Sequence, residues 1–583
     1  MFGTQSRAKR ASYPSIDQTS ASQPSVGQAS DPIGADAAPL LPASPTVADD
    51  PVFHPSHPQD TGALQQIAKV QQVSTLEMTA YVAPDMVCYQ PIKDSCKVGT
   101  MIKTPLTDGW LFATIQALSL SGEGGFHLTL TYVGAYISGA FRRGIEEFPS
   151  PLSPIYTATD DDMRVMYMLA GCDSMRIGTV HPSRSVPASL NIEKLLSRHF
   201  SVLGSTGSGK SCTVALMMHR LVASCPEAHV LILDPHNEYA HAFREQGEHF
   251  NTDNLSLPYW LMNFEEHVEI FVGRDLRGRA SEVDILKYCL YEARKAGAAD
   301  QALSRLTVDT PIPYKLTDLL RTLDHEIGRL EKAESVKPYL KLRAKIEELR
   351  ADRRFAFMFS GLLVQDTLHD IVARLLRFPV AGRPVSTLDL SGVPNEIVDV
   401  VVSLISRLVF DFAMWNKRSK NSVPILLVCE EAHRYVPHDK KGDQRMQSAR
   451  KSLERIAKEG RKYGVSLGLV SQRPSDLSEA ILSQCGTIIS MRMNNERDRR
   501  FVENAMPEGA AHFLGLLPSL QNQECLISGE GCLCPTRVKL DTLDTDMQPA
   551  SEDLHFSGLW RQETLEPKTL VKQTITAWRK AAR

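Results

Sequence analysis

The spacing of apolar positions divides this chain into stretches of different character. Residues 1–60 are dominated by Ser, Ala, Pro, Gln and Asp and carry few large apolar side chains. With so little surface to bury, the entropy of ordering them is not offset, and a disordered tail is predicted. From about residue 61 to 185 the pattern becomes short apolar runs of strand length, such as 98–102, 111–115 and 126–133. Thr107-Asp108-Gly109 and Glu123-Gly124-Gly125 punctuate them as turns, and repeated short strands of this kind predict a small β-barrel with an assembly role. From 186 onward strand-like runs alternate with helical periodicity, the mark of a mostly parallel sheet covered by helices. Residues 281–378 interrupt that alternation. There Ile327, Leu330, Leu340, Leu342, Ile346 and Leu349 recur at helical spacing among many Lys, Arg and Glu, which predicts a helical insertion with a solvated charged face. A C-terminal extension is expected from about 535 to 583.

One of the short strands leads into chemistry. Phe200-Ser201-Val202-Leu203 is followed by Gly204-Ser205-Thr206-Gly207-Ser208-Gly209-Lys210-Ser211, and then by a plausible helix. This is G-x-x-x-x-G-K-S with the strand before it and the helix after it that a phosphate loop requires. The glycines let successive N–H groups point at phosphate oxygens, and the helix adds its positive end. Lys210 is expected to reach the β- and γ-phosphates and the Ser211 hydroxyl to hold Mg²⁺, with Cys212 completing the nucleotide-binding run. The expected fold class is therefore α/β: a RecA-like P-loop NTPase core with a helical insertion, preceded by a small β-barrel domain and a disordered N-terminal tail. The expected cofactors are ATP and Mg²⁺.

Three further strand ends carry polar residues. The apolar run 229–233 ends in Asp234-Pro235, so Asp234 either faces the metal and its waters or serves an Asp-Pro turn. The continuous apolar run 423–429, the pattern of a central parallel strand, ends in Glu430-Glu431-Ala432-His433. Glu430 is expected to orient Mg²⁺ and Glu431 to position or activate the attacking water. Adjacent strand residues point to opposite faces, so both serve only if the chain turns there. Gln472, after the run 465–470, is a candidate γ-phosphate or water sensor; the alternative is a polar turn.

Composition narrows the setting. A hydrophobic share of 43% and a charged share of 23% are those of a globular protein, and a formal net charge of -3 excludes a simple DNA-coating protein. No run approaches a membrane span, and the N-terminus lacks the apolar core of a secretory signal. The 11 cysteines include no C-x-x-C pair, and Cys532 with Cys534 is too little for zinc. Free thiols in a reducing cytoplasm are expected.

Taken in order, Arg198 through Ser211, Asp234-Pro235-His236-Asn237-Glu238-Tyr239, Leu388-Asp389-Leu390-Ser391-Gly392-Val393-Pro394, Glu430-Glu431-Ala432-His433 and Glu459-Gly460-Arg461-Lys462-Tyr463-Gly464 resemble the HerA group of the HerA–FtsK ATPases. The resemblance runs from about residue 65 to 560. Asn237 departs from the glycine expected in many relatives. The resemblance implies a homo-hexameric ring that hydrolyses ATP between subunits and pulls double-stranded DNA through its pore, with a nuclease or effector protein as partner, in end processing or antiphage defence. It also implies that Arg198 acts in trans on a neighbour's ATP and that Arg461 is a sensor or finger arginine; an ordinary surface ion pair is the alternative for each. Two further functions share the motor core: an ATP-gated scaffold for an effector, and a conjugation or secretion ATPase. Arg274, Arg277 and Arg279, close together in a glycine-containing stretch, are candidates for DNA contact or for a solvated loop.

Overall fold

The computed structural model describes residues 64–87, 96–122, 124–167, 173–183, 185–298, 305–360, 364–438, 447–506, 511–550, 556–561 and 567–581. The expected tail, 1–60, lies outside them.

The first sheet is built from β1 (Gln66–Val73), β2 (Glu77–Val82), β3 (Met101–Leu106), β4 (Gly109–Leu120), β5 (Phe126–Ile137), β6 (Ala140–Arg142) and β7 (Pro154–Thr157). The order β2-β1-β7-β3-β4-β5 closes on itself because β2 also pairs with β5, with Met78 opposite Leu130 and Ala80 opposite Leu128. β6 extends β5 outside the ring. Period-two alternation drives closure: Met78, Ala80 and Val82 point inward and meet Ile67, Leu111, Ile115, Leu128 and Ile155 in one core. A closed ring leaves no strand edge to pair with another chain.

A short helix, α1 (Asp160–Tyr167), leads out of the barrel. Asp162 anchors it by a buried ion pair to Lys103 of β3, at 2.8 Å with both side chains 1% exposed. The barrel is joined to the second sheet by a common interior. Its Trp110, Tyr136 and Tyr156 share a continuous apolar core with Val202, Val214 and Ile489. Arg143 adds hydrogen bonds to the carbonyls of Gly529 and Cys532, each at 2.8 Å.

That second sheet holds eleven strands: β8 (Ser174–Val180), β9 (Pro187–Asn191), β10 (Phe200–Leu203), β11 (Val230–Asp234), β12 (Gly247–Phe250), β13 (Val385–Asp389), β14 (Ile425–Cys429), β15 (Val465–Ser471), β16 (Thr487–Met491), β17 (Glu524–Gly529) and β18 (Thr536–Leu540). Their order is β12-β13-β11-β14-β15-β10-β16-β17-β18-β8-β9. The run from β12 to β16 is parallel, and the rest is antiparallel. Two expected boundaries need correction. β8 lies within the residues expected for the barrel, yet it pairs with β18, Val180 opposite Val538. β18 itself falls in the expected C-terminal extension. A short apolar strand reads the same in either sheet; only a partner far along the chain decides which one it joins.

The helix α2 (Lys210–Ser224) follows β10. Between β12 and β13 come α3 (Phe264–Phe271), α4 (Ala280–Gly297), α5 (Leu316–Gly328) and α6 (Ala333–Ala351). Leu286, Leu290, Leu319, Leu323, Leu342, Ile346 and Leu349 bury one stripe of this insertion in the main core, while Leu340 is exposed. α7 (Val398–Arg418) precedes β14, and α8 (Ser448–Tyr463) precedes β15. Glu269 of α3 accepts hydrogen bonds from the backbone N–H and hydroxyl of Ser448, at 3.1 and 2.5 Å, capping α8 where its positive end needs a negative group. Arg274 bridges Glu269 and Asp399, Arg277 pairs with Asp275, and Arg279 bonds the Val272 carbonyl. All three candidate DNA arginines thus have partners within the chain. No helix among the described residues is long and apolar enough to cross a membrane.

Candidate nucleotide-binding site

The phosphate loop is the connection from β10 to α2. Gly207 and Gly209 adopt φ of 73° and 99°, which only glycine enters without strain. A Cβ on Gly204 would meet Met491 Cβ and Ser208 Oγ at 2.8 Å each, whereas one on Gly207 would meet nothing within 4 Å. The loop is therefore packed tightly behind and open in front. Its back is held by Gly204 N–H to Ser471 O at 3.2 Å, and by Ser205, whose N–H and hydroxyl both donate to Arg492 O at 2.9 and 2.8 Å. Lys210 opens α2, 8% exposed, with its ammonium donating to Ser205 O at 3.1 Å. Burial lowers the Lys210 pKa, and the charges of Glu430, Glu431 and Glu238 pull it back up.

β15 lies between the phosphate-loop strand β10 and the acidic strand β14, pairing with both. That position lets the residue at its end touch both neighbours. Gln472 Oε1 accepts from the Thr206 hydroxyl, and Gln472 Nε2 donates to Glu431 Oε1 at 2.6 Å. β14 stops at Cys429, and Glu431 takes a left-handed φ of 50°. The chain thus turns where both carboxylates need it to. The other oxygen, Glu431 Oε2, is buried without a hydrogen bond, 3.2 Å from His433 Nδ1. Burial lowers the His433 pKa, so at neutral pH this contact is not an ion pair. Burial raises the Glu431 carboxyl, against the Lys210 charge.

Glu430 sits deeper. It is 3% exposed, and its Oε2 accepts from the Tyr239 hydroxyl at 3.0 Å. Burial pushes its carboxyl up to about 8, against the pull of that hydrogen bond. Asp234 is 1% exposed, and its two oxygens accept from the backbone N–H groups of His236 and Tyr239, at 3.1 and 2.9 Å. These two bonds cap the turn, so that the Asp234 carboxylate holds the Tyr239 segment behind Glu430. Asn237 in that turn has φ of 56°, a conformation natural to glycine and tolerated by asparagine, which accounts for the departure at this position.

The structure brings Gly204 to Cys212, Gln472, Glu430 and Glu431 together at the carboxyl ends of the strands. It places Arg198 and Arg461 at the opposite end. Arg198 precedes β10, whose four residues span about 13 Å. It pairs with Glu530 at 3.1 Å, both side chains 45% exposed. Arg461 is exposed near the C-terminus of α8, beside the start of β15. His199, left-handed at φ 56°, pins this corner: its Nδ1 accepts from Leu467 N–H at 3.0 Å and its Nε2 contacts Ala457 O at 3.1 Å. Sequence reasoning assigned no role to Tyr239, His433 or His199. All three belong to motifs already named, those that open at Asp234, Glu430 and Arg198, and that membership was the only signal.

The residues fit a magnesium nucleotide. A loop open in front offers room for phosphates, Ser211 and Glu430 supply the hard oxygens that Mg²⁺ prefers, and Glu431 Oε2 is a buried acceptor in need of a donor. Fold and site define a phosphate-loop ATPase. The family profile described as "Helicase HerA, central domain" matches residues 175–409. A probable helicase of Methanocaldococcus jannaschii is 29% identical over 435 residues, 73% of this chain and 77% of that protein. The DNA double-strand break repair helicase HerA of Pyrococcus furiosus is 28% identical over 438 residues, 66% of this chain and 72% of that protein. The structure of VirB4 of Thermoanaerobacter pseudethanolicus aligns at a TM-score of 0.47 and 19% identity, covering 66% of this chain and all of that one. Over most of its length the chain is thus similar to HerA helicases, and over residues 175–409 to their central domain.

Proposed function

We propose that this chain is a HerA-type ATPase, an ATP-driven translocase or helicase on double-stranded DNA that works as a homo-hexameric ring in the cytoplasm. The line Thr206–Gln472–Glu431 carries the reading: it joins the phosphate-holding loop to the carboxylate that would place the attacking water, so nucleotide state and catalytic geometry are linked by two hydrogen bonds. Curated relatives named as DNA double-strand break repair helicases support DNA as the substrate.

In this mechanism the amides of Gly204 to Cys212 bind the phosphates and Lys210 neutralises them. Glu431 orients the water and takes its proton, and burial, which raises its carboxyl pKa, makes it a better proton acceptor. Gln472 keeps Glu431 aimed and registers the γ-phosphate. Mg²⁺, held by Ser211 and Glu430, would supply charge neutralisation on the phosphate oxygens. Asp234 and Tyr239 keep Glu430 in place. Arg198 and Arg461, too far from their own loop, complete a neighbour's site and stabilise the charge that develops there. Hydrolysis then depends on ring assembly. A nuclease or effector protein using this motor, in end processing or antiphage defence, completes the proposal.

The test is ATP hydrolysis by the purified chain with and without linear duplex. Stimulation that falls steeply with salt is expected, because phosphate contacts release counterions. Hydrolysis indifferent to duplex at every salt concentration would favour the ATP-gated scaffold instead.

A further inference from the structure

Three carboxylates act on the Lys210 charge: Glu430, Glu431 and Glu238. The first two have partners. Glu430 Oε2 accepts from the Tyr239 hydroxyl at 3.0 Å, and Glu431 Oε1 accepts from Gln472 Nε2 at 2.6 Å. Glu238 differs. It is half-buried, and neither oxygen of its side chain has a hydrogen bond or ion pair with a described residue. Its backbone is nonetheless fixed. Asn237, left-handed at φ 56°, turns the chain ahead of it, and its own carbonyl accepts from Ala550 N–H at 2.9 Å. The next residue, Tyr239, is the one that holds Glu430. The Glu238 charge is felt on both sides of the site. Burial raises the Cys212 thiol in the first turn of α2, and the Glu238 charge raises it further. At the end of β14, burial raises the Glu430 and Glu431 carboxyls, and the Glu238 charge again adds to it.

We propose that Glu238 is a further residue of the magnesium site, a carboxylate that accepts hydrogen bonds from the water shell of a nucleotide-bound Mg²⁺. The proposal rests on the phosphate-loop reading of Gly204 to Ser211 and adds a residue outside both the loop and the acidic strand. A group felt by the start of α2 and by the end of β14 is positioned beside the gap between Ser211 and Glu430, where that reading puts the metal. Mg²⁺ dehydrates reluctantly and keeps several waters, so its site needs acceptors for those waters as well as direct ligands. Glu238 has both oxygens free for that use and is open enough to solvent to meet them. Charge points the same way. Three carboxylates facing one lysine leave a surplus of negative charge, and a divalent cation offsets it. The buried Glu431 Oε2, which lacks a hydrogen bond, shows that the nucleotide-free site is short of positive or donating groups.

The test needs no hydrolysis: ADP affinity is measured by calorimetry on the full chain, once with Mg²⁺ and once with EDTA. Glu238→Gln keeps the shape of the side chain and removes its charge. In EDTA it should bind ADP at least as tightly as the unaltered chain, because a negative charge beside the phosphates is gone. With Mg²⁺ it should lose at least about 10-fold of the tightening that the metal brings, the scale of an outer-shell partner. A loosened turn would weaken both conditions alike, so the two readouts separate a metal role from a merely structural one. Glu238→Asp, which keeps the charge, should retain more of the tightening than Glu238→Gln. Equal tightening by Mg²⁺ in the unaltered chain and Glu238→Gln overturns the assignment. So does equal weakening with and without the metal, or no difference between the two variants. Failure of the unaltered chain to bind ADP in either condition would instead remove the phosphate loop, and the role of Glu238 with it.

Discussion

The two ends of the large sheet are built on opposite plans. At the carboxyl ends of the parallel strands, Lys210, Glu430 and Glu431 are buried, with Glu431 joined through Gln472 to Thr206 of the loop and Glu430 held by Tyr239. At the amino ends, Arg198 and Arg461 stand exposed, and Arg198 meets only a half-exposed glutamate. Burial fixes the geometry of groups that must act together within a chain. Exposure leaves a charge free to be used by another molecule. A single chain therefore holds the means to grip a nucleotide, while its two arginines stand at the opposite end of the sheet.

The largest effect that bears on this contrast is expected from the exposed end. Arg198→Ala should lower turnover by about 10³-fold with nucleotide affinity nearly unchanged. Mixing it with Lys210→Ala subunits should restore part of the rate, since each kind of subunit lacks what the other supplies. No recovery in any ratio would remove the trans role. At the buried end, Glu431→Gln should bind ATP yet lose about 10²–10³-fold in turnover, and undiminished hydrolysis would move the catalytic role elsewhere. Lys210→Ala should weaken ATP binding by about 100-fold, the scale of two charge-assisted hydrogen bonds. Normal affinity by calorimetry would contradict the loop assignment.

The smallest expected effect is on stability. Because the Glu430 carboxyl is raised in the fold to about 8, its protonated form stabilises the nucleotide-free protein below the ordinary carboxylate pKa, and that contribution is lost as pH rises through about 8. Unfolding midpoints of the parent should therefore fall relative to Glu430→Gln between pH 5 and 8. Parallel curves would mean that Glu430 is ionised throughout.

The same contrast governs what could be read from the sequence. The phosphate loop is legible because its chemistry is contiguous, with glycines, lysine and serine at fixed spacing between a strand and a helix. Glu430 and Glu431 are legible because a long apolar run makes an acidic pair at its end conspicuous. The link through Gln472 is different. It exists because β15 slots between β10 and β14, and strand order is a property of pairing, not of local pattern. For the same reason β8 reads as barrel but joins β18, and His199 carries no signal of the two backbone groups it binds. Asp234 could be narrowed to two roles, but its bonds to the amides of His236 and Tyr239 depend on a turn that the local pattern does not specify.

The apolar layer shared by Trp110, Tyr136 and Tyr156 with Val202 and Val214 bears on how the motor can be handled. A gene fragment beginning at residue 174 would strip Trp110, Phe112, Tyr136, Tyr156 and Tyr167 from that layer and leave its remaining half facing water. Such a truncation is expected to precipitate or to associate through the bared patch, however sound its catalytic residues. Anyone seeking the motor by itself would do better to keep the barrel and trim only ahead of residue 64.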